Sequence, residues 1–207
     1  MNIIVCTAHS DDETGMLGTI LKYIDEGHNV IKIVFSSGEK SQPHFQEEVI
    51  IKRRIRETIR ISNEIKLRDI IFLNLKDIKI KECFDQECEK KIIDVFNEYK
   101  PEKVFIPSAL DPHVDHRAVN ELMIEMLKMI NYDKDLYSYE VWNLINEENP
   151  IMYVDVSKYF KKKIHIMKEF KSQWHFMYTL IIPMYLRARK YGMKNKCKYA
   201  EKFYKLK

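Results

Sequence analysis

Four short apolar runs recur along the first half of this chain: "NIIVCTA" (2–8), "NVIKIVF" (29–35), "DIIFLNL" (69–75) and "KVFIPS" (103–108). Each is rich in β-branched or aromatic residues and is nearly continuous in its hydrophobicity. A strand wetted on one face would alternate instead, so these read as strands covered on both sides. Helical spacing fills the intervals. "TGMLGTILKYIDEG" (14–27) ends plausibly at Gly27. The loop "SSGEKSQP" leads into a long charged helix over 45–66, with Val49, Ile50, Ile55, Ile59 and Ile65 among its apolar positions, and residues 86–99 form another helix. Strand then helix, repeated, predicts an α/β fold: a Rossmann-like three-layer sandwich, a mostly parallel sheet with helices on both faces.

Beyond residue 130 the pattern is weaker. "LYSYEVW" (136–142) and "IMYVDV" (151–156) read as strands, 156–172 as a helix, and the remainder as helical and basic. Residues 187–207 hold nine Lys or Arg against one acid, Glu201. No repeat, low-complexity tract or Gly/Ser linker marks a boundary, so residues 1–207 are expected to form a single domain.

The net charge of +4 neither demands nor excludes an anionic partner. The start "MNIIVCTAHSDDE" lacks the basic opening of a signal peptide. The longest apolar run, "FMYTLIIPMYL" (176–186), is far short of the roughly 20 residues of a spanning helix, and Pro183 should interrupt any long helix there. Core or subunit contact is the first account of that run, and peripheral membrane contact the second. Four scattered cysteines suit reduced thiols and a cytoplasmic location.

The first strand runs straight into "AHSDDE" (8–13), a histidine and three acids within five positions. A turn needs no such charge, and crowded carboxylates repel, so a cation is expected to hold them. The fourth strand runs into "ALDPHVDHRAV" (109–119). In a parallel sheet both loops leave the carboxyl ends of strands and can meet over one edge. His9 and Asp12 stand three apart in a turn entering a helix, and His113 and His116 share that spacing at the start of another. His9, Asp12 and His116 would give a catalytic zinc its three protein ligands, leaving Asp11 and His113 nearby as base and oxyanion donor. Singly, each acid is more often a helix cap. Two such loops together are not explained that way.

"AHSDDE" and "HVDH" resemble the A-H-P-D-D-E and H-P-D-H motifs of the PIG-L/LmbE-like family of zinc-dependent N-deacetylases. "SSGEKS", "RRIRE" (53–57), "YVDVSKY", "FKSQ" (170–173) and "YAEKF" (199–203) are similar to later segments of that family, in order. The resemblance implies His9, Asp12 and His116 as metal ligands, Asp11 as general base, His113 as acid or oxyanion stabiliser, and Asp115 as the carboxylate orienting His113. It places Arg54, or its neighbour Arg53, on the substrate. Glu13, Asp77 and Asp111 match acidic positions to which no chemistry is assigned. Ser10 and Val114 stand where the family usually has proline, which would fix the backbone beside each ligand.

The activity implied is hydrolysis of an N-acetyl group from an N-acetylglucosamine-type amino sugar or its conjugate, by metal-activated water with Asp11 as base. Zn2+ is the implied cofactor, with Fe2+ or Co2+ compatible with the same donors. A zinc amidase acting on a thiol conjugate or an acylated antibiotic sugar uses the same site. A non-enzymatic alternative rests on the basic C-terminal segment, which could bind nucleic acid or an anionic surface. A solvated helix face is the more ordinary account of such charge, so nucleic acid is not the expected partner. Relatives commonly associate, which leaves a homo-oligomer open.

Overall fold

The computed structural model describes residues 1–42 and 44–207 of the 207-residue chain, so Pro43 of "SSGEKSQP" lies outside the described residues. The four apolar runs form β1 (Asn2–Thr7), β2 (Asn29–Ser36), β3 (Asp69–Leu75) and β4 (Lys103–Pro107). With β5 (Asp135–Tyr139), β6 (Ile151–Asp155) and β7 (Ala200–Lys205) they make one sheet in the order β3-β2-β1-β4-β5-β7-β6. Strands β1 to β5 pair parallel, and β7 lies antiparallel between β5 and β6.

Helices α1 (Leu17–Asp25), α2 (Glu47–Ile65), α3 (Ile80–Cys83), α4 (Gln86–Tyr99), α5 (Val114–Met129), α6 (Phe160–Met167) and α7 (Trp174–Lys194) cover both faces. Alternation along β1 shows why. Ile3 and Val5 pack into one core with Ile20 of α1, Ile61 of α2, Phe160 of α6 and Met177 of α7. Ile4 and Cys6 point the other way, into a second core with Ile92 of α4 and Val119 and Met123 of α5. From Ile3 to Thr7 every residue of β1 is buried, at about 1.5–3 kcal/mol for each large apolar side chain. That is the reason for the unbroken apolar runs and for the three layers. The four cysteines are all free.

Chain order creates the crevice. The chain steps from β1 to β2 to β3 in one direction, then returns to lay β4 on the other side of β1. The loops after β1 and β4 therefore diverge from adjacent strands at a topological switch point, where open α/β sheets place ligands.

The second half departs from expectation in three places. The helix expected over 156–172 is only α6, Phe160–Met167, followed by a separate 3-10 turn at Lys171–Gln173. The remainder is not wholly helical, because Ala200–Lys205 is strand β7. Its Phe203 and Tyr204 are both buried, one on each face, which a basic helix could not achieve. Pro183 sits inside α7 rather than ending it. Proline in a helix costs about 3 kcal/mol, but Met177, Met184, Ala188 and Tyr191 bury one face of α7 on both sides of it. That packing holds the helix together.

Glu201 of β7 shows what the last strand contributes. Its carboxylate accepts from the amides of Gly18 (3.0 Å) and Thr19 (2.7 Å), from Thr19 Oγ1 (2.6 Å) and from Lys163 Nζ (2.6 Å). A fixed negative charge thus satisfies the unpaired N–H groups that open α1, just after the acidic loop. Gly15 is pressed against the same region, where an added Cβ would lie 2.3 Å from the carbonyl oxygen of Glu140. Gly15→Ala is therefore expected to lower stability by about 1–3 kcal/mol through overpacking. An unchanged urea midpoint in that variant would refute the close approach.

Candidate metal centre

The loop after β1 is built on buried charge. His9, Ser10, Asp11, Asp12, Glu13 and Thr14 are all buried. Asp12 turns back so that its Oδ2 accepts from the amide of His9 at 2.6 Å, closing the turn that opens the 3-10 segment Asp12–Gly15. Beneath it stands Lys32, in the middle of β2 and 1% exposed. Its Nζ donates to the carbonyl oxygen of Ser10 at 2.7 Å and pairs with Glu13 Oε2 at 2.6 Å. The backbone that proline would otherwise stiffen is thus held by an ammonium group from the next strand.

The loop after β4 is fixed from its own helix. Arg117 donates to the carbonyl oxygens of Asp111 and Pro112, each at 2.7 Å, and Asn120 donates to that of Pro107 at 2.7 Å. His113 caps α5, its Nδ1 accepting from the amide of Asp115 at 3.2 Å.

The two loops meet. The rings of His9 and His116 lie 5.7 Å apart between centroids, and His113 stands 4.9 Å from His9 and 4.8 Å from His116. Asp12 lies between the first two, with Oδ1 3.3 Å from His116 Nε2 and Oδ2 3.6 Å from His9 Nδ1. The other nitrogen of each ring faces an outer carboxylate. His9 Nε2 is 3.0 Å from Asp115 Oδ2 and 3.1 Å from Asp77 Oδ1, and His116 Nδ1 is 2.9 Å from Asp111 Oδ1. Those acids are anchored in turn. Asp115 accepts from the amide of Ile78 (2.8 Å), Asp77 from that of Lys40 (3.0 Å), and Asp111 from that of His113 (2.9 Å). A carboxylate behind the imidazole and a free lone pair in front is the outer shell of a metal-binding histidine.

A divalent ion fits this arrangement. His116 is 1% exposed, yet despite those short distances neither ring nitrogen has hydrogen-bond geometry to any described residue. Buried polar nitrogens are rarely left so. Nitrogen from His9 and His116 with oxygen from Asp12 suits zinc or a similar first-row ion. One nitrogen from each of His9, His113 and His116 also falls within a 4.8 Å group. His113, however, is the exposed member and spends Nδ1 on the cap.

Electrostatics point the same way. Burial opposes charge on both inner rings, but the surrounding carboxylates prevail. Asp12 and Asp111 push His116 up to about 9, and Asp12, Asp115 and Asp77 hold His9 well above its ordinary value. Burial likewise opposes ionisation of Asp12, and the two rings still keep it well below the usual carboxylate range. The cage is built to hold positive charge. His113 goes the other way, lowered by burial and by the two neighbouring rings.

Here the geometry departs from one expectation. The carboxylate of Asp115 does not face His113; it is committed to His9 and to the amide of Ile78, and only the backbone of Asp115 meets His113. Arg54, by contrast, reaches the site. It is 3% exposed, donates to the carbonyl oxygen of Gly38 (2.9 Å) and to Ser41 Oγ (3.3 Å), and pairs with Asp11. Arg53 lies outside and pairs with Glu57 at 3.7 Å. Gly38 has φ +69°, and a Cβ there would lie 2.1 Å from the Arg54 guanidinium, so glycine is required twice over. A cavity of about 420 Å³ opens above the group, with Lys40, Asp77, Ile78, Trp142, Gln173 and Leu180 on its walls. Lys32 is the one member with a sequence signal that the pattern did not exploit: a lysine at the centre of an apolar strand.

Two outcomes follow. Asp115→Ala is expected to weaken metal binding by roughly 10–100-fold, as loss of an outer-shell partner does; unchanged affinity in a chelator competition would refute the contact with His9. Lys32→Met leaves Glu13 buried without its partner and is expected to cost about 3–5 kcal/mol. Adding Glu13→Gln should recover part of that loss in denaturant titration.

The fold is similar over 99% of this chain, and 83% of the other, to N,N'-diacetylchitobiose deacetylase from Pyrococcus horikoshii, with TM-score 0.83 and 22% identity. It is also similar to GalB, the 4-carboxy-2-hydroxymuconate hydratase from Pseudomonas putida KT2440, over 100% and 96% of the two chains, with TM-score 0.86 and 17% identity. The zinc-inhibited form of teicoplanin deacetylase Orf2 aligns over 99% and 97%, with TM-score 0.75 and 12% identity. At these identities the likeness is one of fold. The sequence profile described as PIG-L, GlcNAc-PI de-N-acetylase, matches residues 4–127, a span that contains both histidine loops and every residue of the cage. The chain belongs to the PIG-L family.

Proposed function

We propose that this protein is a metal-dependent N-deacetylase that releases acetate from an N-acetylglucosamine-type amino sugar or its conjugate. The observation that carries the reading is the position of Asp11. It lines the cavity beside the His9–Asp12–His116 group, makes no contact with those rings, and is held by buried Arg54. A carboxylate that is aimed by a buried guanidinium and left out of the ligand set is what a general base requires.

His9, Asp12 and His116 would hold a divalent ion, which would supply Lewis acidity and make a water nucleophilic near neutral pH. Asp11 takes the proton as that water adds to the amide carbonyl carbon. Arg54 keeps the Asp11 carboxylate in place and balances its charge. His113 does not have to be cationic for this role. Its Nδ1 accepts from the Asp115 amide, so the neutral ring carries its proton on Nε2 and can donate to the developing oxyanion. Asp11 then returns its proton to the nitrogen as the C–N bond breaks, leaving acetate and a free amine. Trp142 with Ile78 offers apolar surface, and Lys40, Ser41 and Gln173 offer polar groups. That mixture suits a sugar, and about 420 Å³ lies in the range of small-molecule pockets.

The test is metal analysis of the purified protein followed by a free-amine assay over N-acetylated sugars and longer acyl amides. Amine release that disappears with chelator and returns with a divalent ion supports the reading. No release from any N-acetyl sugar by metal-replete protein would sink it, and preference for longer acyl groups would favour the acylated-antibiotic alternative. Asp11→Asn should keep the metal and lose about 10²-fold or more in turnover.

A further inference from the structure

Helix α7 carries a second apolar face that the core does not use. Met177, Met184, Ala188 and Tyr191 pack inward. Trp174, Tyr178, Ile182, Tyr185, Leu186 and Met193 are exposed, from Tyr185 at 44% to Ile182 at 69%. At roughly 100° per residue these six fall within an arc of about 120° on one side of the helix. Scattered exposed hydrophobes need no explanation, but six large ones gathered on one side of a 21-residue helix do.

Every Asp, Glu, Lys or Arg in the segment that carries the stripe is basic. No Asp or Glu occurs from Phe170 to Ala200, a stretch that holds Lys171, Arg187, Arg189, Lys190, Lys194, Lys196 and Lys198. Arg187 faces Glu140 at 3.7 Å, so its charge is spent internally. Lys190, Lys194, Lys196 and Lys198 are exposed and form no ion pair among the described residues. No described helix is long and apolar enough to cross a membrane.

We propose that this face of α7 docks on the surface of a bilayer containing anionic lipid. Aromatic and aliphatic side chains would enter the boundary between headgroups and acyl chains, with the helix lying in the interface plane, while the lysines meet anionic headgroups. Charge complementarity selects this occupant. A second copy related by a two-fold axis would set the same lysines against one another, with no acid on either helix to meet them. A nucleic acid would satisfy the lysines but would gain nothing from Ile182, Leu186 and Met193, which have no flat face on which a base can stack.

The full chain is tested by co-sedimentation with phosphatidylcholine vesicles, with and without phosphatidylglycerol. Binding is expected only where phosphatidylglycerol is present, and it should weaken as salt rises. Ile182→Asp with Leu186→Asp should reduce that binding about tenfold or more, as should Lys190→Ala with Lys194→Ala. Neither pair touches the cavity, so amine release from a soluble N-acetyl sugar should be unchanged and would show that the variants are folded. In a Trp142→Phe background Trp174 is the only tryptophan, and its emission should shift to the blue on binding. Absence of binding to anionic vesicles overturns the proposal. So does binding that the aspartate pair leaves intact, or a dimer in sedimentation velocity that the same pair dissociates.

Discussion

One carboxylate organises this molecule's chemistry. Asp12 touches the ring of His9 from its own loop and the ring of His116 from a loop about a hundred residues on, and its Oδ2 also takes the amide that closes its turn. Without a charge between them, two buried rings and four nearby acids would be hard to keep in one place. With the acids behind and Asp12 in front, each imidazole has a fixed orientation and a nitrogen aimed at a common point. The cavity, Asp11 and Arg54 are arranged around that point.

Holding so many charges near one sheet edge requires further buried charge below. Lys32 reaches up from β2 to Ser10 and Glu13, where burial still pushes the Glu13 carboxyl up to about 7 against the pull of the ammonium. Glu201 reaches across from β7 to the first amides of α1, itself paired with fully buried Lys163. These two pairs lie in the layers under the acidic loop and stiffen it from different strands. The last strand is therefore part of the site's foundation although it contributes no side chain to the cavity. Ser10 and Val114 stand where proline is usual, and the loops are held by other means: Lys32 from the next strand for one, Arg117 and Asn120 of its own helix for the other.

Legibility followed the range of the interactions. The first four strands were plain because burial on both faces writes itself as a continuous run of Ile, Val, Leu and Phe. The histidine loops were plain because their spacing is local. Strand β7 was hidden: "AEKFYK" is charged at three of six positions, and it is a strand only because β5 and β6 flank it. Helix α7 looked interrupted because the cost of Pro183 is local while the packing that outweighs it is not. The orienting role of Asp115 was misplaced for the same reason, since two residues along the chain from His113 proved less decisive than the approach of His9 from another loop.

By itself the sequence determined the layer architecture, the two charged loops at the carboxyl ends of strands, and the donor atoms available to a cation, because all three are carried by residue type and short spacing. Only the tertiary structure decided that Asp77 and Asp115 back His9 while Asp111 backs His116, that Arg54 and not Arg53 meets Asp11, and that α7 shows an apolar face to solvent. Those outcomes depend on which strand returns beside which and on the angle at which each helix packs. No local pattern encodes such pairings, because the interaction energies that settle them exist only after the sheet has closed around its two cores.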